Sequence, residues 1–150
     1  MKIYTSYWGQ VRNFPTNLVG LNTTVWPPKY RPLGTDKRGV TVLNCKPLVP
    51  GKACEHTCQG PQICKEMFPN RKPPDCPFLQ AYKKQLEKLN FTEFYNYMSE
   101  LSKKYNDADF AFIVFETPTQ ECSERWTIQQ WFKDNGVEIE EWNNSKRGQV

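Results

Sequence analysis

Apolar positions along this chain change their period several times, and each change marks an element. The first eight residues, Met-Lys-Ile-Tyr-Thr-Ser-Tyr-Trp, alternate as a strand does. A second β-rich stretch, 18–26, sets Val19, Leu21, Thr23 and Val25 on one face. It stops at Trp26-Pro27-Pro28-Lys29-Tyr30-Arg31-Pro32, where proline removes donors that a helix or central strand needs. A short strand is expected over 39–43. Helical spacing then appears at Phe78, Leu79, Tyr82, Leu86 and Leu89, with Asp75 as the cap and Pro77 in the first turn. A second helical stripe, Phe94, Met98, Leu101 and Tyr105, starts from Thr92 as its cap. Residues 110–116 are a continuous apolar run closed by Glu116, the signature of a strand buried on both faces. The last amphipathic run opens at Cys122-Ser123-Glu124-Arg125 and ends at Asn135-Gly136, a C-capping pair. Residues 137–142 alternate again as a final strand, and 143–150 read as a frayed tail. Strands alternating with helices predict an α/β fold: a small, mostly parallel sheet flanked by helices. A chain of 150 residues is expected to form one domain, 1–150.

Residues 44–77 break this pattern. They hold five of the six cysteines and show no apolar period, and a loop of that length needs its own organiser. The N-terminus has neither the apolar core nor the cleavage site of a secretory leader, which predicts a cytoplasmic chain with reduced thiols. Clustered thiols in such a loop point to a metal. The expected ligands are Cys54, Cys58, Cys64 and Cys76, holding zinc, with an iron–sulfur cluster as the alternative. His56 is a substitute ligand, and Cys45 lies outside the tight spacing. The insert is thus expected to be stapled by its metal, as architecture and not chemistry. The competing reading is a secreted chain with three disulfides, in which the sequons at Asn22, Asn90 and Asn143 would matter.

The net charge of +4 permits phosphate-bearing ligands without requiring nucleic acid. Lys65, Arg71 and Lys72 would serve a nucleic-acid partner, or simply form a solvated face. No apolar run reaches the roughly 18 residues that a membrane span needs.

Candidate chemistry collects where strands end. In a parallel sheet the carboxyl ends of the strands share one edge, and ligands bind there. Tyr7 follows the first strand, Trp26, Lys29 and Tyr30 the second, and Glu116, Cys122, Ser123 and Arg125 the long apolar one. Trp and Tyr faces stack a base or sugar. Lys29, Arg125 and the N–H groups at the helix start suit a phosphate. Glu116 suits acid–base work or a ribose hydroxyl, or pairs with Arg125. Cys122 is a nucleophile if its thiol is acidified, and a small buried apolar group otherwise. Ser123 caps the helix whether or not it also meets a ligand, and Trp26 is equally at home in the core. The chain has no dinucleotide fingerprint and no P-loop.

Three segments, Met-Lys-Ile-Tyr-Thr-Ser-Tyr at the N-terminus, Val25-Trp26-Pro27-Pro28-Lys29-Tyr30, and Phe115-Glu116-Thr117-Pro118 with Cys122-Ser123-Glu124-Arg125 and Trp131-Phe132, together resemble the domain-of-unknown-function family 488. The resemblance covers both ends of the chain and leaves out the cysteine insert. It departs where the family usually has Cys-His-Arg, since this chain has Cys-Ser-Glu-Arg and its sole histidine, His56, lies in the insert. The resemblance implies an α/β fold, an origin in bacteria or their phages, and a hydrolase or transferase of nucleotide or nucleic-acid metabolism, with cleavage of N-glycosidic bonds among the proposals. A phage-encoded binding or inhibitor protein, capturing a nucleotide or a host protein without catalysis, is the alternative.

Overall fold

The computed structural model describes residues 1–144 apart from Gln59; most of the expected tail lies outside the described residues. Six strands form one sheet: β1 (Ile3–Tyr7), β2 (Leu18–Asn22), β3 (Gly34–Thr35), β4 (Thr41–Asn44), β5 (Asp109–Val114) and β6 (Glu140–Glu141). Their order is β3-β4-β2-β5-β1-β6, and every pairing is parallel except β3 with β4. The central place goes to β5, whose Phe-Ala-Phe-Ile-Val run is fully buried. Its partners run in register from Ile3↔Phe110 to Tyr7↔Val114 on one side and from Leu18↔Asp109 to Asn22↔Ile113 on the other. Close strand packing explains Gly20: a Cβ there would lie 2.6 Å from Ile113 Cδ1 and 3.1 Å from Val42 Cγ2.

Among the described residues five helices accompany the sheet: α1 (Trp8–Val11), α2 (Pro61–Met67), α3 (Pro77–Glu87), α4 (Phe91–Lys104) and α5 (Glu124–Asp134). Tyr82 and Leu86 of α3, Phe94 and Met98 of α4, and Ile128, Trp131 and Phe132 of α5 pack on Ile3, Val19, Leu21, Phe110 and Phe112. The opposite face of the sheet is covered by Trp8, Val11, Phe14 and Trp142. Side-chain alternation along β1, β2 and β5 thus feeds two apolar layers.

The expected caps move by a residue or two. Cys76, not Asp75, precedes α3, because Asp75 closes a 3₁₀ turn over Pro73–Asp75. Asn90, not Thr92, caps α4, its side chain accepting from Glu93 N at 3.1 Å. Ser123 caps α5 as expected, accepting from Arg125 N at 3.2 Å. The end of α5 is a Schellman turn: Gly136 has φ +83°, and Val137 N donates to Phe132 O at 2.9 Å. The second strand stops at Asn22, four residues short of the expected end, because Asn22 Oδ1 accepts from Thr24 N at 3.0 Å and turns the chain.

Residues 46–76 are not without structure. They hold 3₁₀ turns at Lys46–Leu48, Lys52–Cys54 and Pro73–Asp75, and the short α2. One side chain of α3, Gln85, organises the first part. Its Oε1 accepts from Gly51 N at 2.8 Å and its Nε2 donates to Val49 O at 2.8 Å and Pro47 O at 3.1 Å. Tyr82 Oη adds a bond to Leu48 O at 2.5 Å. Among the described residues no helix is long and apolar enough to cross a membrane.

Candidate functional site

The chain leaves β2 toward β4 and leaves β5 toward β6, in opposite directions along the sheet. Between those two carboxyl ends lies the place where open α/β sheets receive ligands. Thr23 bridges it: its backbone N donates to Ile113 O at 3.2 Å, and its Oγ1 lies 2.8 Å from the same oxygen. Thr23 Oγ1 is also 3.2 Å from Glu124 Oε2. A hydroxyl has one proton to give. Thr23 divides it between the Ile113 carbonyl and the Glu124 carboxyl, so neither receives a full hydrogen bond. Burial, then the nearby Glu116 carboxylate, push the Glu124 carboxyl up to about 8, against a weaker opposing pull from Thr23. Asn22, Thr24 and Asn44 complete the polar edge, with Asn22 Nδ2 donating to Asn44 Oδ1 at 2.9 Å and Trp8 Nε1 to Thr24 Oγ1 at 3.4 Å.

Arg125 points the other way, toward β1 and β6. It is 6 % exposed. Its Nε donates to Glu141 Oε1 at 2.6 Å, and its Nη2 to Glu141 Oε2 at 3.3 Å and to the Glu116 carbonyl at 2.6 Å. Thr5 Oγ1 donates to Glu141 Oε1 at 2.8 Å and accepts from Gln129 Nε2 at 2.8 Å. Burial pushes the Glu141 carboxyl up, while Arg125 and Thr5 hold it down. The Tyr7 ring lies 5.9 Å from the guanidinium carbon. The carboxylate partner of Arg125 is thus Glu141; Glu116 offers it only a backbone oxygen. Most of the guanidinium is engaged, but Nη1 is buried without a hydrogen-bond partner among the described residues. Arg125 and Ser123 line a cavity of about 300 Å³ with Gln120, Glu121 and Gln129.

The other sequence-predicted ligand groups are dispersed. Trp26 and Tyr30 are 80 % and 75 % exposed on the loop after β2, so Trp26 is not core, and Lys29 is exposed beside them. Among the described residues no hydrogen bond, ion pair or ring contact joins these three to Arg125. The Cys122 thiol is pushed up, first by burial and then by the neighbouring thiols of Cys76 and Cys64 and the Glu121 carboxylate. That is opposite to the acidified thiol a nucleophile needs.

The thiols divide. Cys54 is 3 % exposed in the apolar core, its Sγ 3.8 Å from Gln85 Oε1, and burial pushes it up. Cys45 is equally enclosed, its thiol pushed up to about 12 by burial. Cys58, Cys64 and Cys76 line a different cavity, of about 320 Å³, and the fourth thiol there is Cys122. His56 is exposed in a turn with φ +61° and does not line that cavity. As they stand, no three His, Cys, Asp or Glu side chains among the described residues form a metal-holding group, so the expected Cys54-Cys58-Cys64-Cys76 set is not assembled.

Sequence reasoning passed over Glu124, Glu141, Thr23, Thr5 and Gln129. An acid in the first helical turn reads as a partner of the helix dipole; that Glu124 instead meets Thr23 depends on β5 lying beside β2. Comparison of the chain with protein-family models, curated proteins and solved structures finds no match in any of the three.

Proposed function

We propose that the carboxyl edge of the sheet binds a nucleotide-type ligand, with a phosphate on Arg125. The single observation that carries this reading is Nη1 of Arg125: a cationic donor, buried and unpartnered, on a residue lining a cavity of about 300 Å³. Buried donors are nearly always satisfied in folded proteins, so an unsatisfied one on a cavity-lining residue invites a ligand oxygen. The α5 N-terminus adds its dipole on the same side. Glu141 fixes the guanidinium plane and leaves one corner of it to the ligand. Such a cavity is at the small end of ligand sites, which suits a phosphate with a sugar more than an extended polymer.

The reaction class this edge supports best is hydrolysis or group transfer on a nucleotide or nucleoside, as the resemblance to family 488 implies. Its two neighbouring carboxyls, Glu124 and Glu116, would hold and move the proton in such a reaction. Capture of a nucleotide without turnover is the second reading, favoured by the side-chain partners that already engage most of Arg125.

Arg125→Lys tests the binding claim. Lysine keeps a charge beside Glu141 and loses the fork, so the fold is retained while the Nη1 donor disappears. Affinity for nucleoside monophosphates, read by calorimetry, should fall roughly ten- to a hundred-fold, the range for a charged hydrogen bond. Unchanged affinity for every phosphate ligand tested would overturn it. Glu116→Gln and Glu124→Gln separate the two readings: turnover lost with affinity retained marks an enzyme, and no turnover in any form marks a binding protein.

A further inference from the structure

The strongest unexplained feature is the ring of thiols between the cysteine insert and the loop that joins β5 to α5. Cys58, Cys64 and Cys76 come from the insert, and Cys122 arrives from 46 residues further along the chain. All four line one cavity of about 320 Å³, whose other walls are apolar, polar and charged side chains of the insert, of α3 and of the β5–α5 loop. All six cysteines are free thiols, so none of the four is committed to a disulfide.

We infer that Cys58, Cys64, Cys76 and Cys122 together hold a thiophilic metal centre, a zinc ion or an iron–sulfur cluster, that clasps the insert to the β5–α5 loop. Two observations besides the count of thiols support it. The first is hydrogen bonding to sulfur. Gly60 N donates to Cys58 Sγ at 3.4 Å, and Arg71 Nη1 donates to Cys64 Sγ at 3.8 Å. Donors aimed at sulfur are what orient and stabilise a ligating thiolate. The second is charge. Four thiolates on a divalent ion leave a formal charge of −2. Lys65, Arg71 and Lys72 line the cavity against a single acid, Glu121, an excess of two positive charges. Of these, Arg71 meets sulfur directly, at Cys64, and the other two line the same cavity. The Lys72–Glu121 ion pair at 3.3 Å already ties the two segments together.

A single tetrahedral zinc needs its sulfurs about 3.8 Å apart, since each Zn–S bond is about 2.3 Å. The thiols ring a space instead of meeting at a point, and metal binding gathers them. The volume admits a cluster as readily as an ion, so the metal is read by its composition. Cys54 takes no part: Gln85 and the apolar core account for it.

The test is the metal content of the full-length chain, as purified, in wild type, Cys122→Ser and Cys54→Ser. Wild type should hold about one zinc, or about four irons with matching acid-labile sulfide and a coloured spectrum. Cys122→Ser should lose at least most of that metal, and Cys54→Ser should keep it. Under a tenth of an equivalent of zinc and iron together, with no cobalt(II) taken up by the reduced protein, would overturn the inference. So would full metal content in Cys122→Ser alongside loss in Cys54→Ser, which would restore the four-cysteine set read from spacing. Should Cys122→Ser fail to fold, alkylation of the wild type decides. Cys58 is exposed and Cys64 and Cys122 are half-buried, so a chelator should open all three to the reagent at once. Equal reactivity before and after chelation would count against the site.

Discussion

Arg125 secures the fold besides offering the proposed phosphate contact. Its side chain is 8 % exposed and that of Glu141 17 %, so theirs is a buried ion pair, where losing one partner strands the other. Arg125→Ala should therefore lower unfolding stability by about 3–5 kcal/mol, read by urea denaturation. Glu141→Ala should behave similarly, and the double variant should cost less than the sum of the two, since both break one interaction. Additive losses would show that the pair is not coupled. Glu124 makes a pH prediction. Its folded value, about 8, lies above its unfolded value of 4.5, so the folded state holds the proton more tightly. Stability contributed at low pH is then lost as pH rises from about 4.5 to about 8, by up to about 1.4 kcal/mol per pH unit for one proton. Glu124→Gln removes that titration, so the difference between the wild-type and variant unfolding curves should slope across pH 5–8. A flat difference would mean that the carboxyl is ionised throughout. The capping role of Ser123 was legible from its place before an amphipathic run. The Arg125–Glu141 pair was not, because 16 residues separate the partners and only the docking of β6 beside β1 brings them together.

At the scale of elements, the insert divides into a half held by hydrogen bonds and a half ringed by thiols. Gln85 reaches Pro47, Val49, Gly51 and Cys54 at once. Gln85→Ala should leave those backbone groups unpaired and cost about 1–3 kcal/mol, without changing metal content. Loss of metal in that variant would show that the two halves form one unit. In the sheet, Gly20→Ala should cost about 1–3 kcal/mol by overpacking against Ile113 and Val42, read as a lowered midpoint of unfolding. The helices α3, α4 and α5 were legible from their apolar period, and β5 from its unbroken run. The helix α2 was not: its seven residues, Pro-Gln-Ile-Cys-Lys-Glu-Met, are too few to show a period. The two-residue strand β3 carries no pattern of its own, whereas β6 is the paired part of the strand expected over 137–142, shortened to the two residues that meet β1. Spacing along the chain also favoured Cys54 over Cys122, since no local pattern reports that a loop beyond two helices returns to the insert.

For the whole molecule, the mostly parallel α/β sheet follows from strands alternating with helices, and the structure has it. The order of the strands does not follow from local pattern. The strand β5 enters between β1 and β2, and that one placement sets Thr23 opposite Glu124 and brings α5 to the carboxyl edge. The same placement carries Cys122 to the insert while leaving Trp26, Lys29 and Tyr30 on the surface. The proposed nucleotide site depends on a ligand phosphate meeting Nη1 of Arg125. Calorimetric titration of the wild-type chain with a set of nucleoside monophosphates, and with the matching nucleosides, tests it most directly. At least one monophosphate should bind saturably, with its nucleoside at least ten-fold weaker, since the charged hydrogen bond resides in the phosphate. No binding by any monophosphate, or equal binding with and without the phosphate, would contradict it.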